Sequence, residues 1–236
     1  MTAAPGEKPV LYHRKGLPAG RYAERFELRE TDAPPQGTGY RLWYDEPGMT
    51  LLHGSRGALT LDYRAIETRS RQLSLLARAC TASGRPSVAD LMAGWGTDGL
   101  SLALRGCRVT LVERAPVVWA MLDEFVSRLD LPAAVVCETA ENWCRTHGKA
   151  VNVAYLDPMF PPRRKTALPG KEMQVLRDLA WMSEATPASR LGSQISLARS
   201  VATERVVVKR RIGEPALPTP DWQLRGRQIR FDVYRT

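Results

Sequence analysis

From Ser87 onward, short apolar runs alternate with segments of helical period, and this alternation limits the fold more than any other feature of the chain. The runs Ser87-Val-Ala-Asp-Leu91, Arg108-Val-Thr-Leu-Val112, Ala133-Ala-Val-Val-Cys137, Val151-Asn-Val-Ala-Tyr-Leu156 and Arg205-Val-Val-Val-Lys209 read as five strands. Between them, helices are expected over 97–104, from Pro116 to about residue 129, and over 141–146, 171–182 and 187–198. Pro116 suits a first helical turn, where its missing N–H costs nothing. Residues 151–156 are apolar on both faces, as a central parallel strand is when helices cover the sheet above and below. Trp222-Gln-Leu and residues 228–234 close the chain as a hairpin. The expected fold is α/β, with a Rossmann-like sheet and helices on both faces.

In such a sheet the loops at the carboxyl ends of the strands share one face, where ligands bind. The stretch Asp90-Leu-Met-Ala-Gly94-Trp-Gly96-Thr-Asp98-Gly99 lies at the first of these ends. Gly94, Gly96 and Gly99 satisfy G-x-G-x-x-G, a weak motif alone that also fits a dinucleotide turn. Glycines let the backbone turn tightly and approach a ligand closely. Glu113 ends the next strand, close to the ~20-residue spacing of an acid that binds ribose hydroxyls. Taken singly, Asp90 reads as a turn cap and Glu113 as a surface acid; after one glycine turn they read as one site. S-adenosylmethionine has a ribose, a carboxylate and an ammonium but no pyrophosphate, and suits this set. Glu113 takes the ribose, the N–H groups of the turn take the carboxylate, and Asp90 or Asp98 takes the ammonium.

A second stretch, Tyr155-Leu-Asp157-Pro158-Met159-Phe160-Pro161, follows the fourth strand. Alone it reads as a strand-to-helix turn with a capping Asp and a core Phe. Beside a cofactor turn it suits methylation of an exocyclic amine. Such an amine is a poor nucleophile, because its lone pair is delocalised into the base. A carboxylate from Asp157 and a backbone carbonyl at Pro158 would accept both amino hydrogens and turn the lone pair towards the donor. Proline fixes the turn and brings no competing N–H. Phe160 would stack on the base.

Before Ser87 the pattern is less regular. Residues 1–38 are rich in Pro, Gly and charge, and Ala33-Pro-Pro-Gln-Gly37 marks a turn. Tyr40-Arg-Leu-Trp-Tyr44 alternates as an edge strand does, and Met49-Thr-Leu-Leu52 and Ala58-Leu-Thr-Leu-Asp62 are further short strands. We expect a small β-rich N-terminal extension over 1–62 and the main domain over 63–236. Ile66, Leu73, Leu76 and Ala79 share a face, which predicts one helix from Arg64 to Cys80 carrying Arg64, Arg69, Arg71 and Arg78.

The 236 residues suffice for one α/β domain and a small extension, and the net charge of +9 favours a polyanionic partner, most simply nucleic acid. Arg163, Arg164 and Lys165 follow the fourth strand, and Lys209, Arg210 and Arg211 follow the fifth. Both clusters should rim the pocket and bind phosphates. Cys80, Cys107, Cys137 and Cys144 form no CxxC pair, and His13, His53 and His147 are scattered, so no metal site is expected. The cysteines read as reduced core residues of a cytoplasmic protein. No apolar run reaches the ~18 residues of a membrane span, and the N-terminus lacks an apolar signal core. No membrane partner is expected.

Residues 90–98, Leu111-Val-Glu-Arg-Ala-Pro-Val-Val118, residues 155–161, Lys171-Glu-Met173 and Val206-Val-Val-Lys-Arg210 together closely resemble the RsmJ family, bacterial small-subunit ribosomal RNA guanine-N2 methyltransferases. The resemblance covers about residues 86–236. It implies a class I methyltransferase sheet, S-adenosylmethionine as cofactor, and small-subunit ribosomal RNA or a 30S particle as partner. Asp-Pro-Met-Phe-Pro resembles the Asp/Asn-Pro-Pro-aromatic motif of amino methyltransferases. By the same resemblance, cofactor contacts fall on Thr97 and Asp98, Glu113 and Arg114, Thr139 and Ala140, and Asp157. Thr97 stands where the family usually has Arg, and Ala140 where it usually has a hydroxyl residue. Glu67-Thr-Arg69-Ser-Arg71 stands where the family has a basic, glycine-rich segment.

Three other readings fit parts of the chain. Methylation of adenine N6, or of DNA, uses nearly the same motif. A nicotinamide-dependent oxidoreductase would use the literal glycine motif but leaves residues 157–160 unexplained. An RNA-binding factor on a decayed methyltransferase fold would have no need to keep both Asp157 and Glu113.

Overall fold

The structure is a computed structural model that describes residues 7–71, 74–81, 84–158, 170–181, 191–215 and 218–236. Five of its strands form a small N-terminal sheet: β1 (Val10–Arg14), β2 (Glu27–Thr31), β3 (Arg41–Asp45), β4 (Gly48–His53) and β5 (Gly57–Leu59), in the order β2-β1-β3-β4-β5. β1 runs parallel to both β2 and β3, and β3, β4 and β5 run antiparallel. Two expectations are corrected here. β1 and β2 were not foreseen, and β3 lies in the middle of the sheet instead of at its edge.

The segment read as one helix is two, α1 (Tyr63–Arg71) and α2 (Leu75–Cys80). The Ser74 hydroxyl accepts the N–H of Ala77 at 3.1 Å and so starts a new helix at Leu75.

The main sheet then follows the expected alternation: β6 (Ser87–Asp90), α3 (Thr97–Ala103), β7 (Arg108–Val112), α4 (Pro116–Arg128), β8 (Ala133–Val136), α5 (Ala140–Thr146) and β9 (Val151–Leu156). α6 (Lys171–Trp181) and α7 (Leu191–Val201) fall where helices were expected, α7 running past residue 198; the expected end of α6 at Met182 and the expected start of α7 at Pro187 lie outside the described residues. β10 (Ala202–Arg211) is longer than foreseen, and β11 (Trp222–Arg225) and β12 (Ile229–Arg235) pair antiparallel. The order is β11-β12-β10-β9-β6-β7-β8, parallel from β10 to β8. The chain leaves β6 towards β8 and returns to β9 on the other side of β6. That reversal opens a crevice beyond the carboxyl ends of β6 and β9.

Alternation along β9 sorts the core. Val153 and Tyr155 face the layer of α1 to α4 with Leu76, Leu100, Leu122 and Phe125. Ala154 and Leu156 face α5 and α7 with Trp143, Leu191 and Ile195. By period two, Asp157 turns back towards the α3 side. The far flank of α4, with Val117, Val118 and Met121, packs with Val175 and Leu179 of α6 on Leu11, Leu42 and Leu51 of the small sheet. Among the described residues, no helix is long and apolar enough to cross a membrane, and no His, Cys, Asp or Glu cluster could hold a metal ion.

Candidate active site

The turn after β6 is built as its glycines suggest. Gly94 has φ +53° and Gly96, the residue that caps α3, has φ +72°, a left-handed backbone that L side chains rarely adopt. A Cβ on Gly96 would lie 2.6 Å from Leu122 Cδ1. Gly99 serves another purpose. A Cβ there would run into Leu111 and come within 2.9 Å of Asp90 Oδ2, so glycine lets α3 lie directly on the sheet.

Glu113 holds the turn in place. Its Oε2 accepts the Gly94 N–H at 2.8 Å and its Oε1 the Ala115 N–H at 2.8 Å. Burial pushes its carboxyl above the ordinary range, and the two N–H donors pull the other way. A carboxylate has about four lone-pair sites, so acceptor capacity remains for a ribose hydroxyl. Glycine backbone and an acid at adjacent strand ends thus fit the sugar and amino-acid ends of S-adenosylmethionine. Arg114 is half-buried beside Glu113. Thr139 caps α5 through Asn142 N at 3.1 Å, with Ala140 the first helical residue, both at the carboxyl end of β8. Thr97 is half-buried at the start of α3, lining a cleft of about 590 Å³ with Trp95, Leu59 and Glu172. Trp95 donates its Nε1–H to Glu172 O at 3.0 Å and packs on α6.

Three carboxylates converge at the crevice. Asp90, 1% exposed, is pushed well above the ordinary carboxylate range by burial and by Asp98 and Asp157. Asp98 accepts from Arg69 of α1, from Tyr155 Oη at 2.8 Å and from Lys209 Nζ at 2.7 Å. Burial opposes its ionisation, but Lys209 and Arg69 outweigh burial and hold it below the ordinary value. Asp157 Oδ2 accepts from the same Lys209 Nζ at 2.7 Å. Burial and Asp98 nevertheless push the Asp157 carboxyl up to about 6. The shared ammonium therefore favours Asp98, and Asp157 is the acid of the pair that titrates nearest neutrality.

This arrangement corrects the rim reading of the basic cluster. Lys209, Arg210 and Arg211 lie within β10, not after it. Lys209 points into the site, and Arg210 is turned to Pro215 O at 3.0 Å and Glu214 at 3.4 Å. Arg230 of the terminal hairpin is buried and bonds Asp232 at 2.8 Å. Pro158 follows Asp157 at half-buried depth. Phe160, Arg163, Arg164 and Lys165 lie outside the described residues. Sequence reasoning missed Arg69 and Tyr155 as partners of Asp98. The period-two alternation Val153, Tyr155, Asp157 was the signal that would have placed Tyr155 beneath the site.

The seven-stranded sheet, the glycine turn and the acids at its strand ends define an S-adenosylmethionine-dependent methyltransferase. The family model described as "Putative SAM-dependent methyltransferase" matches residues 22–236. The fold is similar to a SAM-dependent methyltransferase of Neisseria gonorrhoeae, at TM-score 0.71 and 24% identity over 96% of each chain. The ribosomal RNA small subunit methyltransferase J of Alkalilimnicola ehrlichii is 36% identical over 92% of this chain and 90% of its own length. That of Laribacter hongkongensis is 37% identical over 91% and 81%. The chain belongs to the ribosomal RNA small subunit methyltransferase J family.

Proposed function

We propose that the chain methylates the exocyclic N2 of a guanine in small-subunit ribosomal RNA, in the cytoplasm. The carrying observation is the position of Asp157-Pro158 at the end of β9, beside β6 and its glycine turn. Relatives named for small-subunit ribosomal RNA and a net charge of +9 support the polyanionic substrate. Gly94, Gly96, Thr97, Asp98, Glu113, Arg114, Thr139, Ala140 and Asp90 are assigned to the cofactor. Bound S-adenosylmethionine supplies an electrophilic methyl: its carbon–sulfur bond breaks as the nitrogen–carbon bond forms, and the sulfur keeps the electron pair. Asp157 and the Pro158 carbonyl accept the two amino hydrogens and aim the lone pair, and Phe160 stacks on the base. The alkylated nitrogen releases its proton to water, so the site has no need of a strong base. Positioning and electrostatics carry the rate. The base must be flipped out or unpaired, since pairing occupies its amino group. Arg163, Arg164, Lys165 and Arg211 are assigned to phosphates, and residues 1–62 to an extension packed on the domain of 63–236.

The test is nucleoside mapping by mass spectrometry after incubation with labelled cofactor and 30S particles lacking the modification. Label in N2-methylguanosine, lost in Asp157→Ala, supports the reading. Label on adenine, or none with cofactor binding intact, overturns the target.

A further inference from the structure

Lys209 stands where a phosphate contact was expected, yet its side chain is only 16% exposed and its Nζ lies 2.7 Å from both Asp98 Oδ2 and Asp157 Oδ2. Burying an ammonium costs several kcal/mol unless its partners are well placed. One carboxylate would suffice for a structural ion pair. Here one ammonium spans two, drawn from different elements of the site, α3 and the end of β9. β10 delivers it. Val208 registers with Leu156, so Lys209 falls one step further, level with Asp157. Val206, Val207 and Val208 are fully buried and hold that register.

We propose that Lys209 is a positioning residue for amine methylation: its shared ammonium anchors Oδ2 of Asp157 and leaves Oδ1 as the ionised acceptor facing the target amine. The inference rests on the role given to Asp157 above. Among the described residues, no hydrogen-bond donor other than Lys209 reaches Asp157. Among the described residues, the charged and titratable groups around Asp157 are Lys209 of β10, Asp98 of α3, Arg69 of α1, Asp90 of β6 and Tyr155 of its own strand. Asp98 disfavours the ionised form of Asp157, and Lys209 and Arg69 favour it; Asp157 in turn pushes Asp90 towards its neutral form. Asp157 protonated at Oδ1 would present an O–H to the amine and be a weaker acceptor than the carboxylate.

The direct measurement is carboxyl carbon-13 NMR of the cofactor-free full chain, with Asp157 assigned through Asp157→Asn. Lys209→Met should raise the Asp157 midpoint by about 1–3 units, the usual effect of one close opposite charge. Lys209→Arg should stay near wild type. Asp98→Asn should lower the midpoint, because it removes a like charge and leaves Lys209 to Asp157 alone. The acid limb of kcat on 30S particles should move with the midpoint in each variant. A two-unit rise would cut activity at pH 7 by about tenfold and restore it at higher pH. A folded Lys209→Met with an unmoved midpoint overturns the proposal, as does an acid limb that ignores the midpoint. If Lys209→Met does not fold, Asp98→Asn decides: a midpoint that fails to fall overturns the proposal. If wild type labels no guanine while Asp157 still responds to Lys209, the target assignment fails and the bridge stands.

Discussion

Replacing Glu113 by Ala separates what holds the cofactor turn from what holds the cofactor. Both carboxylate oxygens accept backbone N–H groups at 2.8 Å, from Gly94 and from Ala115, and the residue is 9% exposed. Hydrogen bonds to a charged acceptor contribute about 1.5–3 kcal/mol each. Burial already pushes this carboxyl up, so desolvation offsets part of the gain and the lower end applies. The pair should then be worth about 3 kcal/mol. For a chain of this size that lowers Tm by about 6–12 °C. Calorimetric unfolding of the cofactor-free protein at neutral pH measures it, with Glu113→Gln, which keeps one acceptor, losing about half as much. Titration with S-adenosylmethionine should show affinity weakened at least ~tenfold in both, the equivalent of one lost ribose hydrogen bond. A Tm within about 1 °C of wild type would refute the account of the turn, since the expected loss is several-fold larger. A lowered Tm with intact affinity would refute the ribose assignment.

Asp90→Asn should stabilise the cofactor-free protein while weakening cofactor binding. The folded state holds the Asp90 proton more tightly than the unfolded state, so wild-type stability falls as pH rises above the ordinary carboxylate range. The gain in Tm should therefore grow with pH, and a gain independent of pH would contradict this. Gly96→Ala combines a left-handed backbone costing about 1–2 kcal/mol with a Cβ 2.6 Å from Leu122 Cδ1. Urea unfolding should show a total loss of about 2–5 kcal/mol once overpacking is added. Wild-type kcat should rise with pH through an acid limb near 6, where Asp157 ionises, and then level off. A flat profile from pH 5 to 8 would remove Asp157 from the rate-determining chemistry.

The central sheet was legible because parallel strands buried on both faces leave near-continuous apolar runs, as Val153–Leu156 does. β2 was not, because in Glu27-Leu-Arg-Glu-Thr31 only Leu28 and Thr31 are even half-buried, and the strand pairs parallel to β1, with no hairpin turn to announce it. The break between α1 and α2 had a visible signal in Ser74, overridden by the helical spacing of Ile66 and Leu76 on either side. At the site, the glycines, Glu113 and Asp157 could be found from position relative to strand ends. Lys209 could not be read correctly by composition. A basic triplet looks like surface, and only the register of β10 against β9 shows which of its three side chains turns inward.

The small sheet grips α6 at several points. Tyr40 Oη and Arg56 both donate to Asp178, Lys171 Nζ donates to Ala58 O at 2.7 Å, and Val175 and Leu179 share a core with Leu42 and Leu51. α6 is the described element that follows Asp157 and Pro158 in the chain. The extension is therefore no detachable module. Grafted onto another methyltransferase without α4 and α6, it would carry an uncovered apolar face. Cut away, it would leave Val175 and Leu179 of α6 without Leu42 and Leu51 to pack on. An engineer seeking to change the target of this enzyme must treat the five-stranded sheet and α6 as one unit.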